Sequence, residues 1–259
     1  MGSDPGTIPM GRILEKLDGY FAVNDIPSAE KHLLYWLSEA EKNGSDSARL
    51  TILNEMTGLY RNMGKKAEGL QAIDDLLALL DSMQIEDSVP YATSLLNAAT
   101  GLKAFGKAAE SLPLYEKAGA IYERCLPEND EKLAGLYNNM ALALTETKSF
   151  GKARELFHRA SAILSEHPGK EGEMAITCLN LADLSAAEAG PVEAGEQINA
   201  YMDEAEKLLD SENLKRDGHY AFVCRKCARA FGYYGRFATE AELLKRAEGD
   251  RGTVPLSPP

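Results

Sequence analysis

Four stretches of the chain repeat one another at an almost constant step: LNEMTGLY at 53–60, LLNAATGL at 95–102, YNNMALAL at 137–144 and CLNLADLS at 178–185. Each opens on a bulky or apolar residue and carries an asparagine one or two places on. An apolar–small pair follows: Met56-Thr57, Ala98-Ala99, Met140-Ala141 and Leu181-Ala182. The steps are 42, 42 and 41 residues. A fixed period in this range marks a solenoid, whose units cannot bury their apolar faces alone and must stack on their neighbours.

Within one period the pattern predicts two helices. In residues 134–165, Tyr137, Met140, Ala141 and Leu144 recur at i, i+3, i+4 and i+7, one stripe of a helix. Lys148-Ser149 interrupts the pattern, with Ser149 placed to act as an N-cap. Phe150, Ala153, Phe157 and Ala160 then form a second stripe. The two stripes face each other across a short turn, as in an antiparallel helix pair.

This copy resembles the tetratricopeptide repeat, whose pattern places an aromatic, a large–small pair and a large residue on the first helix, then a small residue and an aromatic on the second. Tyr137, Met140-Ala141, Leu144, Ala153 and Phe157 occupy those places, with Ala160 at the later small position. The 42-residue step exceeds the usual repeat of roughly 34. It is closer to the long repeats of kinesin light chains, whose first helices also carry a paired asparagine like Asn138-Asn139. Segments such as HLLYWL, LNEMTGLYR and CRKCARAFGYYG give the whole chain a resemblance to a bacterial group of tetratricopeptide proteins to which no activity is attached. The resemblance implies a cytoplasmic bacterial protein.

Two further pairs flank the four. Ile13, Leu17 and Tyr20 face Ala29, Leu33 and Trp36 at the start. At the end, Cys224, Cys227, Ala228 and Phe231 face Phe237, Leu244 and Ala247 across Tyr234-Gly235. The expected fold is therefore all-α: a right-handed superhelix (α-solenoid) of six antiparallel helix pairs over residues 10–247. Residues 1–9 read as a disordered or extraneous leader, and 248–259 as a disordered tail. Two places depart from the pattern. Pro113 should kink its helix or mark its first turn, and the second helix of the fifth pair should begin at Pro191.

The formal net charge of −12 disfavours nucleic acid and anionic membrane surfaces as partners. It is unevenly spread, since residues 219–247 carry +4 and residues 1–218 carry −15. No run of apolar residues is long enough for a membrane span and no secretory leader opens the chain, so cytoplasmic, reduced thiols are expected for the four cysteines.

In a stacked array the first helices line the concave side. With the tetratricopeptide stripe turned towards the partner helix, the outward face carries Asn54 and Arg61 in the second pair, Asn97 and Lys103 in the third, Asn138 and Asn139 in the fourth, Asn180 and Asp183 in the fifth, and Arg225 and Arg229 in the sixth. Asn97, Asn139 and Asn180 occupy equivalent places and predict a ladder along the groove, with Asn54 one place off. A carboxamide both donates and accepts, so it can pair with a peptide backbone whatever its sequence; in peptide-binding members of the resembled family, asparagines here do that work. The same amides could instead tie adjacent first helices together. The four cations could clamp carboxylates of an acidic segment or a chain end.

The leading expectation is thus a non-catalytic adaptor or regulatory module that binds a protein or peptide in its groove, needs no cofactor or metal, and stays monomeric or weakly dimeric. One alternative is a metal- or thiol-dependent protein centred on Cys224, Cys227 and His219. Against it, both sulfurs fall on a packing stripe and four ligands cannot be assembled. Another is a structural homo-oligomer. The Phe231-Gly-Tyr-Tyr-Gly cluster should cap the end of the array.

Overall fold

The computed structural model describes residues 8–83 and 88–249. Among them stand twelve helices and no strand: α1 Met10–Ala22, α2 Ile26–Lys42, α3 Asp46–Met63, α4 Lys66–Met83, α5 Val89–Ala104, α6 Ala108–Cys125, α7 Glu131–Glu146, α8 Phe150–Ser165, α9 Glu171–Ala189, α10 Gly195–Leu209, α11 Gly218–Tyr233 and α12 Phe237–Gly249. They form six consecutive pairs where the 42-residue step places them, which makes the fold an all-α repeat of the solenoid class. The expected leader at 1–9 and tail at 248–259 fall almost wholly outside the described residues.

The step is written into the backbone as well. Each turn inside a pair contains one residue of positive φ: Asn24, Gly64, Gly106, Lys148, Gly190 and Gly235. Glycine adopts this conformation without strain, whereas an L side chain there crowds the backbone. Lys148 has φ 61°, so the turn before α8 is made by a left-handed lysine. Ser149 does stand at the N-cap, but its side chain makes no capping hydrogen bond.

The helices divide into two compact units within α6, between Ile121 and Tyr122. In the first, small residues let backbones approach. A Cβ on Gly101 of α5 would lie 2.7 Å from Ile73 Cδ1 of α4 and 3.1 Å from Thr57 Cγ2 of α3. α6 closes on α5 through Tyr115, whose hydroxyl lies 3.2 Å from Thr100 Oγ1, and through Lys117, which donates to the Tyr91 hydroxyl at 2.6 Å. Pro113 lies inside α6, past its first turn.

In the second unit, Ala141 of α7 and Ala153, Phe157 and Ala160 of α8 are fully buried, as the repeat pattern requires. Met140 is only half-buried. α7 buries a broader face than one stripe, taking in Leu133, Leu136 and Ala143, because it packs against α9 of the next pair as well as α8. After Gly190, α10 starts at Gly195, four residues later than Pro191 suggests. In α12 the core stripe is also displaced. Leu243 and Ala247 are buried, while Phe237 and Leu244 are 68% and 43% exposed. Polar anchoring to α10 sets that phase: Thr239 Oγ1 lies 3.0 Å from Glu206, and Arg246 pairs with Asp210 at 2.7 Å.

Candidate functional site

The first helices carry the candidate residues, and their local packing decides which remain available. In the first unit, Asn54 of α3 donates to the Leu50 carbonyl and to Ser94 Oγ of α5, both at 2.9 Å. Asn97 of α5 donates back to Asn54 Oδ1 at 2.9 Å. In the second unit Asn138 of α7 exchanges hydrogen bonds with the buried Thr177 of α9, at 3.0 and 3.2 Å. The bonded pairs are 40 and 39 residues apart, one device used twice: an asparagine on one first helix and a hydroxyl on the next. These amides tie neighbouring repeats together.

Asn139 donates to the carbonyl of Gly135, one turn back in its own helix, at 3.0 Å. Asn180 of α9 is half-buried and makes no side-chain hydrogen bond among the described residues. Arg61 stands half-buried on α3, where burial lowers the affinity of its guanidinium for the proton. Lys103 is half-buried on α5.

The second unit holds an open concavity of about 420 Å³ between α9 and α11. α9 contributes Ile176, Leu179, Asn180 and Asp183, and α11 contributes Lys226, Cys227, Arg229, Ala230 and Tyr233. The α9 set is spaced i, i+3, i+4, i+7, a single helical stripe, and the α11 set keeps that spacing with the buried Cys227 behind it. The floor is apolar and the rim polar, the usual constitution of a binding cleft. Arg229 is exposed and engages no carboxylate among the described residues. Asp183 accepts a hydrogen bond from the Tyr234 hydroxyl at 2.8 Å. Desolvation on this wall raises the Asp183 carboxyl above its ordinary range, and the Tyr234 bond draws it partly back.

Of the expected groove residues, the concavity brings together Asn180, Asp183 and Arg229. Arg225 is placed elsewhere: its guanidinium donates to the Ala247 carbonyl at the end of α12, at 3.3 Å. The reason is helix phase. With Cys224, Cys227, Ala228 and Phe231 buried against α9, α10 and α12, position 226 turns into the concavity and 225 turns away. Lys226 and Tyr233 were legible by the same i, i+3, i+4, i+7 rule once the core stripe was fixed. The aromatic cluster is split among three duties. Phe231 is in the core, Tyr234 holds Asp183, and Tyr233, 78% exposed, stands on the wall of the concavity.

The cysteine pair belongs to the core. Cys224 and Cys227 are fully buried and form no disulfide. Burial, with Cys224 alongside, pushes the Cys227 thiol up to about 12, and burial pushes Cys178 up to about 11. A thiol held protonated in this way is a poor nucleophile and a poor ligand. His219 pairs instead with Glu173 at 3.3 Å. Among the described residues no group of three or more His, Cys, Asp or Glu is placed to hold a metal ion, and no helix is long and apolar enough to cross a membrane.

Helix pairs of this kind, stacked at this step, define the fold of tetratricopeptide-like repeat proteins. Solved structures share it, three of them as follows. A putative kinesin light chain of Podosopora anserina with nearly identical TPR-like repeats aligns over 78% of this chain and 94% of its own, at 19% identity and a TM-score of 0.52. BtubC (BKLC) from P. vanneervenii aligns over 92% of this chain and 95% of its own, at 15% identity and TM-score 0.54. NprR, solved in complex with its cognate peptide NprX, aligns over 97% of this chain and 70% of its own, at 14% identity and TM-score 0.58. No protein-family model and no curated protein matches the sequence.

Proposed function

We propose that the chain is a non-catalytic interaction module that holds a peptide segment of another protein against first helices of its second unit. The α9–α11 concavity is its best-formed contact. The observation that carries this reading is the pairing, on one open surface, of a carboxamide and a guanidinium that the fold itself leaves unused, Asn180 and Arg229. An amide can meet a peptide backbone in either sense, and Arg229 with Lys226 beside it favours a segment bearing a carboxylate. NprR supports the reading to the extent that this fold accommodates a peptide in that protein. Asn139, Arg61 and Lys103 are further candidates for contact, whereas Asn54, Asn97 and Asn138 serve stacking. Four cysteines outside any disulfide suit a reducing cytoplasm.

The test is affinity capture from the source cell with the wild-type chain and with Asn180→Ala/Arg229→Gln, read by mass spectrometry. Partners retained by the wild type should be lost from the double variant at unchanged Tm. Peptides from those partners should bind the variant at least tenfold more weakly, the change expected from losing about 1.5–3 kcal/mol of charge-assisted bonding. Identical partner lists from the two proteins would refute the site.

A further inference from the structure

α12 has three faces. Glu240, Leu243 and Ala247 turn towards α11, and Thr239, Glu242 and Arg246 turn towards α10. The remaining face, opposite α10, carries Phe237, Ala241, Leu244 and Glu248, at i, i+4, i+7 and i+11. Every one of these four is exposed. Phe237 and Leu244 are two of only seven large apolar side chains found exposed among the described residues, and they share one stripe. Scattered exposed apolar residues need no explanation, but a contiguous stripe with a small residue at its middle does.

We propose that this stripe is a dimerisation surface on which α12 of a second copy of the chain packs antiparallel, about a two-fold axis passing beside Ala241. The stripe is complementary to itself under that operation. Ala241 lies against its own copy and lets the two helix backbones approach, while Phe237 of each chain covers Leu244 of the other. The charges fit the same symmetry. Lys245, exposed and without an ion pair among the described residues, lies on the same flank of the stripe as Glu242, which pairs with Arg246 at 3.2 Å and is still 51% exposed. An antiparallel two-fold sets that flank against its equivalent, so Lys245 of each chain comes beside Glu242 of the other, twice over. It also brings Glu248 of each chain towards the N-terminal end of the opposite α12, where a carboxylate is favoured. A parallel or head-to-tail arrangement loses both reciprocal relations. A two-fold contact of this sort uses one patch on both subunits and closes on itself, so it stops at a dimer. A single helix face is small for an interface, which places the dimer on the order of micromolar affinity.

Sedimentation equilibrium and light scattering of the full chain test this. Twice the 28.2 kDa monomer mass is expected at high protein concentration. Ala241→Glu should give the monomer mass with unchanged Tm and helix content. Lys245→Glu should weaken the dimer about tenfold, and Lys245→Glu/Glu242→Lys should restore it, since reciprocal pairs are exchanged rather than lost. In a chain also carrying Cys125→Ser, Ala241→Cys should oxidise to a disulfide between two copies of residue 241, identified by peptide mass. A chain that stays monomeric at the highest concentration, or a dimer indifferent to Ala241→Glu, overturns the proposal. A wild-type monomer that dimerises only after residues 250–259 are removed also overturns it, by showing that the chain's own C-terminal segment occupies the stripe.

Discussion

Glu55 stands where the three following repeats carry Asn97, Asn139 and Asn180. The exchange has an energetic consequence. Burial on α3, with Asp18 of α1 adding a like charge, raises the Glu55 carboxyl above its ordinary 4.5. A carboxylate whose folded-state pKa is raised is held against its preference at neutral pH. The resulting cost is fully present above the folded pKa and vanishes as pH falls below the unfolded value. Glu55→Gln should therefore raise Tm at pH 7. Melts of the two proteins should converge below about pH 4.5, where both side chains are neutral. A variant less stable than wild type at pH 7 would mean that Glu55 has a favourable partner, and that the residue was chosen for binding between helices.

At the scale of helices, the sequence announced the pairs but not their ties. The 42-residue step and the Tyr137–Leu144 and Ala153–Ala160 stripes placed the pairs because close backbone approach demands small residues at fixed intervals. The phase of α12 was ambiguous, since Leu243 and Leu244 are both apolar; ion pairs from Arg246 to Asp210 and from Arg236 to Asp203 and Glu206 resolve it, and they span about 30–40 residues of chain. The tie made by Asn138, expected only on the outward face, was hidden for a similar reason. Its hydrogen-bond partner, Thr177, lies just outside the recurring CLNLADLS segment and is invisible to a motif centred there. If Asn138 ties α7 to α9, then Asn138→Ala should destabilise by about 1 kcal/mol, since Thr177 keeps its bond to the Glu173 carbonyl, and Thr177→Val by about 1–2 kcal/mol, since it loses that bond as well as the tie. The double variant should lose less than the sum, a coupling of at least about 0.5 kcal/mol in denaturant titrations. Additive effects would show that the two side chains do not act as a pair.

Charge governs the chain as a whole. The net −12 repels itself across a surface where the basic C-terminal pair is the exception, and part of that pair is already neutralised. Arg236 and Arg246 are engaged by Asp203 and Glu206 of α10 and by its C-cap Asp210, whereas Arg229 at the concavity and Lys245 on the flank of α12 engage no carboxylate among the described residues. Salt therefore acts in opposite directions on stability and on binding. Screening over a Debye length that shrinks to about 10 Å at 0.1 M relieves the self-repulsion of the acidic surface and weakens attraction at the exposed cations. Between about 20 and 200 mM NaCl, Tm should rise while affinity for a carboxylate-bearing peptide from a captured partner falls about three- to tenfold, mainly through a slower association rate. In Arg229→Gln the rise in Tm should persist and the salt dependence of affinity should flatten. Were the affinity of Arg229→Gln to keep the wild-type salt slope, the attraction would have to come from cations elsewhere on the first helices, with Arg61 and Lys103 the next to replace.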